Sequence, residues 1–220
     1  MTDSSKPPQP LIRKRRVRSI LKGILWGMLA VFVVIVISGW LFARYSVTRA
    51  FPQTEGTIQI AGLTGEVTVI RDSMGIPHIY ADNVEDLFLA QGYVHAQDRF
   101  FQMDFWRKIS HGELSSMFGD TQVDTDTFIR TMGWGRLAEA QYAQESDENK
   151  VVLDAYAAGV NAYLATQSPA DLSFEYTVLE LTNRNYTPEP WTGAQSLAWG
   201  KVMAWDLGGN MDAEIERALA

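Results

Sequence analysis

The sequence predicts an α+β protein, with an N-terminal transmembrane helix followed by a mostly helical body that carries a short β-hairpin near its start. Three observations support this prediction. Residues 24–43 are apolar and uncharged, residues 57–72 alternate apolar and polar side chains, and residues 148–165 carry apolar side chains three or four positions apart. These patterns are typical of a membrane-spanning helix, of strands and of an amphipathic helix, respectively.

The charge of the 220-residue chain is divided between a basic N-terminal part and an acidic body. Residues 1–49 carry a formal charge of +8 and residues 50–220 carry −15, so that the net charge is −7. An acidic body argues against a nucleic-acid-binding surface, and no nucleic-acid partner is expected. The absence of cysteine excludes disulfides, thiolate metal sites and a cysteine nucleophile within this chain.

The apolar residues 24–43, ILWGMLAVFVVIVISGWLFA, are numerous enough to cross a bilayer as a helix. Such a length at helical rise spans about 30 Å. A cleaved signal peptide would have a shorter apolar stretch of about 7–15 residues and a small-x-small cleavage site, which the ending Trp40-Leu41-Phe42-Ala43 fits poorly. The sequence therefore predicts an uncleaved anchor over residues 24–43, between a basic arm (residues 1–23) and a linker (residues 44–54).

Basic residues flank the anchor unequally. Six Lys and Arg side chains lie between positions 13 and 22, whereas only Arg44 and Arg49 follow closely. The positive-inside rule then keeps the N-terminus in the cytoplasm. We expect a single-pass protein of the bacterial cytoplasmic membrane, which contacts lipid through residues 24–43 and holds the body, residues 55–220, outside.

The body begins with strand signals. TIQIAGLTGEVTVIRD, residues 57–72, alternates around Gly62-Leu63-Thr64-Gly65, which predicts a hairpin with its turn at these four residues. GIPHIYA, residues 75–81, predicts a third short strand, in which Pro77 favours an edge position or the start of the strand.

A long helix is predicted to follow. Asn83, with Glu85 and Asp86 behind it, is a typical N-cap sequence. The helix is expected to run to about Phe118, with a break at Gly92 or near Gly112, and to stop at Gly119-Asp120. Further helices are predicted over residues 125–145 and 148–165, and Ser168-Pro169 ends the second of them.

The C-terminal third mixes irregular and helical signals. LSFEYTVLEL, residues 172–181, predicts a short strand or extended segment, and NYTPEPW, residues 185–191, predicts a loop. Thr192 and Gln195 form a capping-box pattern for a helix through Trp205. The last eleven residues, NMDAEIERALA, are helical in pattern up to the final residue, which favours a truncated or processed longer chain.

Few catalytic or metal-binding motifs are present. His78, His95 and His111 are not spaced as HExxH or at i, i+4, which argues against zinc, and there is no GxSxG elbow and no P-loop. An internal serine beside one of these histidines remains an open alternative. Seven polar side chains crowd the predicted helix over residues 92–107; helical spacing favours a buried network over an active site, because buried charges must be paired.

The order of motifs in the body resembles the start of the penicillin amidase (penicillin acylase) family. The pieces that carry the resemblance are Arg71-Asp72, Gly75–Ala81 (GIPHIYA), Asp86–Phe88 (DLF), Gly92–Met103 (GYVHAQDRFFQM) and Gly112–Gly119. A second matching patch begins with YTPEPW and extends from Tyr186 to Leu219. The resemblance covers about residues 65–220 and is specific, because many spaced matches occur in order.

The resemblance implies an N-terminal nucleophile hydrolase of αββα fold, in which residues 55–220 are an incomplete α-subunit region. In the family, a precursor cleaves itself into a smaller α and a larger β subunit, and the new N-terminal serine of the β subunit attacks the amide while its α-amino group acts as the base. No catalytic residue is therefore expected in this chain. Its partner would be the β subunit or downstream segment of the same precursor, without which the chain would be inactive.

The resemblance also implies two contributions from this chain. Met203, Asp206 and Leu207 would line the acyl-side pocket; Met203 and Leu207 lie four apart on one helical face, a spacing that fits core packing equally well. Asp206 stands where one well-known member of the family has a basic residue, and this difference bears on acyl-chain specificity. Glu214 matches, with one residue of alignment slip, a ligand of structural calcium, with a solvated helix carboxylate as the alternative. No organic cofactor is expected.

Together these features predict the N-terminal part of a membrane-anchored acylase. Its substrate would be a penicillin-like or other linear amide of an acylated small molecule, hydrolysed outside the cytoplasm. An N-acyl-homoserine lactone acylase is an alternative, because Met203 and Leu207 would suit either acyl group. A non-catalytic, membrane-tethered binding module is the alternative from another class.

Overall fold

The computed structural model describes residues 11–220, with side chains from residue 20 onward. Residues 1–10 of the predicted basic arm, and the basic side chains at positions 13–18, lie outside the described part. The chain divides into two compact units between Thr48 and Arg49. The described residues are mostly helical and hold one two-stranded sheet, as predicted.

The first unit is a single helix, α1, Leu11–Thr48. Its segment Ile20–Thr48 reaches a mean hydropathy of 2.6, and none of its most apolar window is buried among the described residues. By its length and composition the helix could cross a membrane. Signal sequences and the buried core helices of soluble proteins can be equally long and apolar. It continues through residues 44–48, the first part of the predicted linker.

The hairpin of the second unit lies later in the chain than predicted. Strands β1, Thr68–Arg71, and β2, Pro77–Tyr80, pair antiparallel with Thr68 opposite Tyr80. The predicted turn at Gly62–Gly65 is wrong. The prediction of a strand within GIPHIYA is confirmed, and Pro77 is its first residue, where a missing N–H costs no ladder hydrogen bond.

Two carboxylates explain where the chain turns. Asp72 accepts hydrogen bonds from the backbone N–H groups of Met74 (2.8 Å) and Ile76 (2.9 Å), and Gly75 between them has φ = +80°. Asp86 instead accepts from the backbone N–H groups of Thr64 and Gly65, both at 2.9 Å. The segment predicted as a hairpin turn is therefore a loop fastened to the start of the next helix.

That helix, α2, Val84–His111, begins at the predicted N-cap, because the Asn83 side chain accepts from Asp86 N–H at 2.7 Å. Of the two positions predicted for a break, Gly92 is wrong and the one near Gly112 is confirmed. The backbone of α2 leaves helical geometry at Arg99 (φ −144°, ψ 21°). The helix ends before Gly112, which adopts the left-handed conformation with φ = +65°.

The remaining helices account for most of the second unit. They are α3 (Ser115–Phe118), α4 (Val123–Met132), α5 (Trp134–Gln144), α6 (Asp147–Leu164), α7 (Pro169–Leu172), α8 (Phe174–Leu179), α9 (Gly193–Leu207) and α10 (Met211–Leu219), with a 3₁₀ turn at Asp120–Gln122. The strand or extended segment predicted over residues 172–181 is wrong, because α8 forms there. The loop at 185–191 and the capping box at Thr192 are confirmed.

Helices α2 and α6 form the centre of the core and touch through their backbones. A Cβ added at Gly92 would lie 2.0 Å from the carbonyl oxygen of Tyr156, and one added at Gly159 would lie 1.9 Å from that of Leu89. Gly92 therefore serves the close crossing of the two helices and not a break in α2. The buried side chains around the crossing are Tyr93, Ala96, Phe100, Met117, Ala157, Val160, Tyr163, Leu172, Tyr176, Leu179 and Trp191.

The Asp86 contacts make fold stability depend on pH. Hydrogen bonds from the Thr64 backbone N–H, and also from the Thr64 hydroxyl and Asn83, outweigh burial and lower the pKa of Asp86. A depressed folded-state pKa gives stability that is present above the unfolded value, about 3.9, and is lost as the pH falls through the folded pKa. We expect Asp86→Asn to melt below the wild type at pH 7.

This difference should narrow as the pH falls below about 4, because the Asp86 carboxyl group of the unfolded chain then takes up a proton, whereas the folded one, with its lowered pKa, does so only at lower pH. Thermal unfolding followed by circular dichroism from pH 7 to pH 3 measures it. Asp82→Asn is the matched control, since Asp82 is exposed. A gap between Asp86→Asn and the wild type that stays constant over this range would contradict the assignment.

Candidate functional site

The residues predicted to line an acyl pocket lie at the end of α9. The Thr192 capping box starts this helix, and Ala198 and Val202 lie on its buried side. Met203 is half-buried, whereas Asp206 is exposed and Leu207 is 76% exposed. The described residues therefore leave the far end of this face open, and a closed pocket there needs a wall from elsewhere.

Two tryptophans hold the end of α9 in place. Val202 packs in a small cluster with Ile129 and Trp134. The Trp205 ring lies 5.7 Å from the Trp134 ring and 5.9 Å from the Phe128 ring, between centroids. These contacts with α4 and α5 fix the helix that carries Met203 and Leu207, whether the two side chains serve a pocket or a core.

The predicted calcium ligand, Glu214, is an exposed side chain in the first turn of α10. Its carboxylate accepts a hydrogen bond from Asn210 Nδ2 at 2.6 Å. An exposed carboxylate suits calcium in donor type, yet the ion requires several oxygen ligands. Within residues 11–220, as far as they are described, no three His, Asp or Glu side chains are grouped to hold a metal ion.

The histidines do not form an accessible nucleophile–base pair in the described part of the chain. Ser110 Oγ lies 2.8 Å from His111 Nδ1, but Ser110 is fully buried and its hydroxyl also lies 2.7 Å from the Arg107 carbonyl oxygen. His95 Nδ1 lies 3.0 Å from the Tyr156 hydroxyl. Burial lowers the pKa of His95 and raises that of Tyr156 to about 12, so both are neutral at pH 7.

The crowded helix over residues 92–107 contains a buried network, as its spacing favoured. Asp104 and Arg107 are 0% and 1% exposed and form an ion pair. The hydroxyls of Tyr176 and Tyr186 donate to Asp104 Oδ2 at 2.7 and 2.6 Å, and Arg107 Nη1 donates to the Glu189 carbonyl at 2.7 Å. Burial, and then the charge of Asp104, raises the pKa of both phenols well above its usual value.

Three further ion pairs surround this network. Arg71 in β1 donates to both carboxylate oxygens of Asp98, at 2.8 and 2.9 Å. Lys108 donates to Glu113 and Glu189, both at 3.0 Å. Burial alone would lower the pKa of Lys108, but the two glutamates outweigh it and raise this pKa. The charges of α2 thus tie β1 and the loop before α9 to one helix, which is a structural role.

The two tyrosine donors to Asp104 were not predicted from the sequence. Tyr176 lies in the segment predicted as extended, although Leu172, Tyr176 and Leu179 are buried at helical spacing. That 172, 176, 179 pattern was the available signal for a helix. Tyr186 lies in a loop, where no periodic pattern indicates its burial.

A second missed feature is an apolar groove of about 490 Å³ between α2, α6 and α9. Its floor and walls are largely aromatic, with Phe88, Trp106, Tyr156 and Trp199 among them. Four polar side chains of α2, here called the polar rim, also line it: Gln91, His95, Arg99 and Gln102. The kink at Arg99 lies within this rim.

Comparison with known proteins gives consistent results. The family model for penicillin amidase matches residues 66–220. The chain is 37% identical over 155 residues to penicillin acylase 2 proenzyme of Pseudomonas sp. (strain SE83), which covers 70% of this chain and 19% of that protein. It is 33% identical over 176 residues to the acyl-homoserine lactone acylase QuiP of Pseudomonas aeruginosa, which covers 80% of this chain and 20% of that protein.

A solved structure is similar as well. The thermostable penicillin G acylase from Alcaligenes faecalis matches with a TM-score of 0.55 and 34% sequence identity, over 63% of this chain and 72% of the solved chain. The chain spans only about a fifth of the length of the curated relatives described above.

Proposed function

Because the chain belongs to the penicillin amidase family, we propose that it is the N-terminal part of an acylase that hydrolyses the amide bond of an acylated small molecule. The family match over residues 66–220 carries this proposal. The chain covers about a fifth of its relatives, one of which is named a proenzyme. The remaining four-fifths would supply the catalytic β part, after self-cleavage of the precursor.

The described residues support this division of labour. The serine nearest a histidine, Ser110, is fully buried and cannot reach a substrate. The Tyr156 hydroxyl keeps its proton at neutral pH, because burial raises its pKa to about 12. Amide hydrolysis needs a nucleophile with a neighbouring base and donors aimed at the developing oxyanion. We place these groups in the downstream part.

There are two candidate classes of substrate. Penicillin-type amides correspond to the relative named penicillin acylase 2 proenzyme, and N-acyl-homoserine lactones correspond to the relative named QuiP. The experiment is to assay the complete protein against both classes with matched acyl chains. The 220-residue chain alone should show no turnover. Turnover by that chain alone would overturn the division of labour, and an inactive, correctly processed complete protein would favour a binding module.

We further propose that α1 anchors the protein in the membrane. The apolar segment Ile20–Thr48 is unburied among the described residues, and Trp26 and Trp40 stand near the two ends of the predicted span. Protease treatment of intact spheroplasts should digest the body, residues 55–220. Full protection of the body would rule out the proposed topology, and release from membranes by carbonate would rule out the anchor.

Met203, Asp206 and Leu207 are proposed to contact the acyl group. Met203→Ala in the complete enzyme should shift the preference among acyl chain lengths by about 1–3 kcal/mol, the range expected for a methylene or two in an apolar pocket. Ratios of kcat/KM for a series of chain lengths measure the shift. Leu181→Ala, at a side chain that is 79% exposed, is the control. An unchanged preference with lowered stability would assign Met203 to the core.

Glu214 is proposed to bind structural calcium together with oxygen ligands from the downstream part. Calcium would supply a fixed positive charge that holds the carboxylate, and Asn210 would orient that carboxylate. Glu214→Gln in the complete enzyme should lower the melting temperature at limiting calcium, because a native-state ligand stabilises by mass action. Glu216→Gln, on the same exposed helix, is the control. Equal melting curves with and without calcium would remove the metal.

A further inference from the structure

We propose that the groove between α2, α6 and α9 is a docking surface for an apolar segment of the downstream part of the same precursor, with a carboxylate of that segment set against Arg99. The proposal rests on the proposed function, because it requires a downstream part. It goes further by assigning one surface of this chain and the chemistry of the segment that covers it.

The shape and composition of the groove support a macromolecular partner. It is an open groove with a volume of about 490 Å³, and aromatic side chains from all three helices line it. Trp199 remains 39% exposed there, although tryptophan is among the side chains that gain most from burial. Partly exposed aromatic side chains gathered in one groove are characteristic of the central part of protein interfaces.

The rim of the groove indicates the charge of the partner. Arg99 is the only charged side chain among the lining residues, since the neighbouring His95 is neutral. Within the described part of the chain, Arg99 forms no hydrogen bond and no ion pair. Its side chain is exposed in a body of net charge −15, so it is open to an acidic group from outside the described residues. A carboxylate from a partner would pair with it and gain from the low dielectric of the covered groove.

The length of the relatives identifies the partner. About four-fifths of each curated relative lies outside the matched region, so a large structure remains to be packed against this body. A second copy of this chain fits less well. In a twofold contact the groove would meet itself, and its lining residues include no carboxylate to face Arg99.

Histidine modification can measure whether the groove is covered. His95 lies in the rim, and His78 lies outside it and is exposed, so the two act as probe and internal control in one molecule. In the 220-residue chain both should react with diethylpyrocarbonate. In the complete protein the rate of His95 modification should be about tenfold lower. The ratio of the His78 rate to the His95 rate should therefore rise about tenfold.

Charge reversal supplies a second, independent measurement. Arg99→Glu should lower the melting temperature of the complete protein, but leave that of the 220-residue chain unchanged. Arg99→Lys should restore most of the loss. Arg184→Glu, at an exposed arginine outside the groove, is the matched control for a change in net charge.

Each outcome bears on the docking proposal separately from catalysis. Equal reactivity of His95 in the short chain and the complete protein, or an Arg99→Glu effect equal in both, would overturn it. Protection of His95 in the short chain that disappears on dilution would instead indicate a second copy. A complete protein that hydrolyses amides with an open groove would refute docking alone, whereas a protected groove in an inactive protein would refute the proposed function alone.

Discussion

Replacing Gly92 or Gly159 with alanine is expected to destabilise the protein by about 3 kcal/mol or more, the upper range for overpacking in a core. The added Cβ would lie 1.9–2.0 Å from a backbone carbonyl oxygen of the opposite helix. A backbone oxygen cannot rotate away as a side chain can. Helices α2 and α6 would therefore have to separate, and the core around them would lose contacts.

The measurement is urea unfolding of the 220-residue chain in detergent, followed by circular dichroism. Gly200→Ala is the control, because Gly200 lies in α9 with no other atom within 4 Å of the added Cβ. Alanine is the better helix former, so this variant should be neutral or more stable by about 0.4–1 kcal/mol. A Gly92→Ala variant that unfolds at the wild-type midpoint would contradict the close crossing.

The second large effect is expected from Asp104→Asn. This substitution removes the charge that compensates the Arg107 guanidinium, which is 1% exposed. Breaking a buried pair by removing one partner costs about 3–5 kcal/mol, because the other charge remains buried. The hydroxyls of Tyr176 and Tyr186 would also lose a charged acceptor.

The control is Asp98→Asn, whose partner Arg71 is partly exposed. The side chains of this pair keep 25% and 18% of their exposure, and water screens such pairs, so a cost of about 1 kcal/mol or less is expected. The double variant Asp104→Leu/Arg107→Met should be less destabilised than the sum of its single variants, because both charges leave together. Additive effects would show that the two groups are not coupled.

Local features were predicted well from the sequence. Asn83 and Thr192 cap their helices as expected, since a cap depends on residues two or three positions away. The motifs around residues 69–107 were sufficient to predict the family, which the match over residues 66–220 confirms. The structural role favoured for the crowded helix agrees with the buried pair of Asp104 and Arg107.

Features decided by distant residues were predicted poorly. Alternation alone could not show that the backbone N–H groups of Thr64 and Gly65 bind Asp86, more than twenty positions away, instead of closing a hairpin. The extended segment was wrong because Tyr176 reaches Asp104, 72 positions earlier, from a helix. The roles of Met203, Leu207 and Glu214 stay predictions, since their partners would come from outside the described residues.

The Asp104 network has a consequence for synthesis of the chain. Two of its later members, Tyr186 and the Glu189 carbonyl, lie 82 positions after Asp104 and Arg107, respectively. At about 5–20 residues per second, a ribosome makes the first pair about 4–16 s before the groups that seal it. During that interval both charges must remain hydrated. Water can therefore leave the centre of the body only after the loop before α9 has been made. These charges are buried only once nearly the whole body has been synthesised.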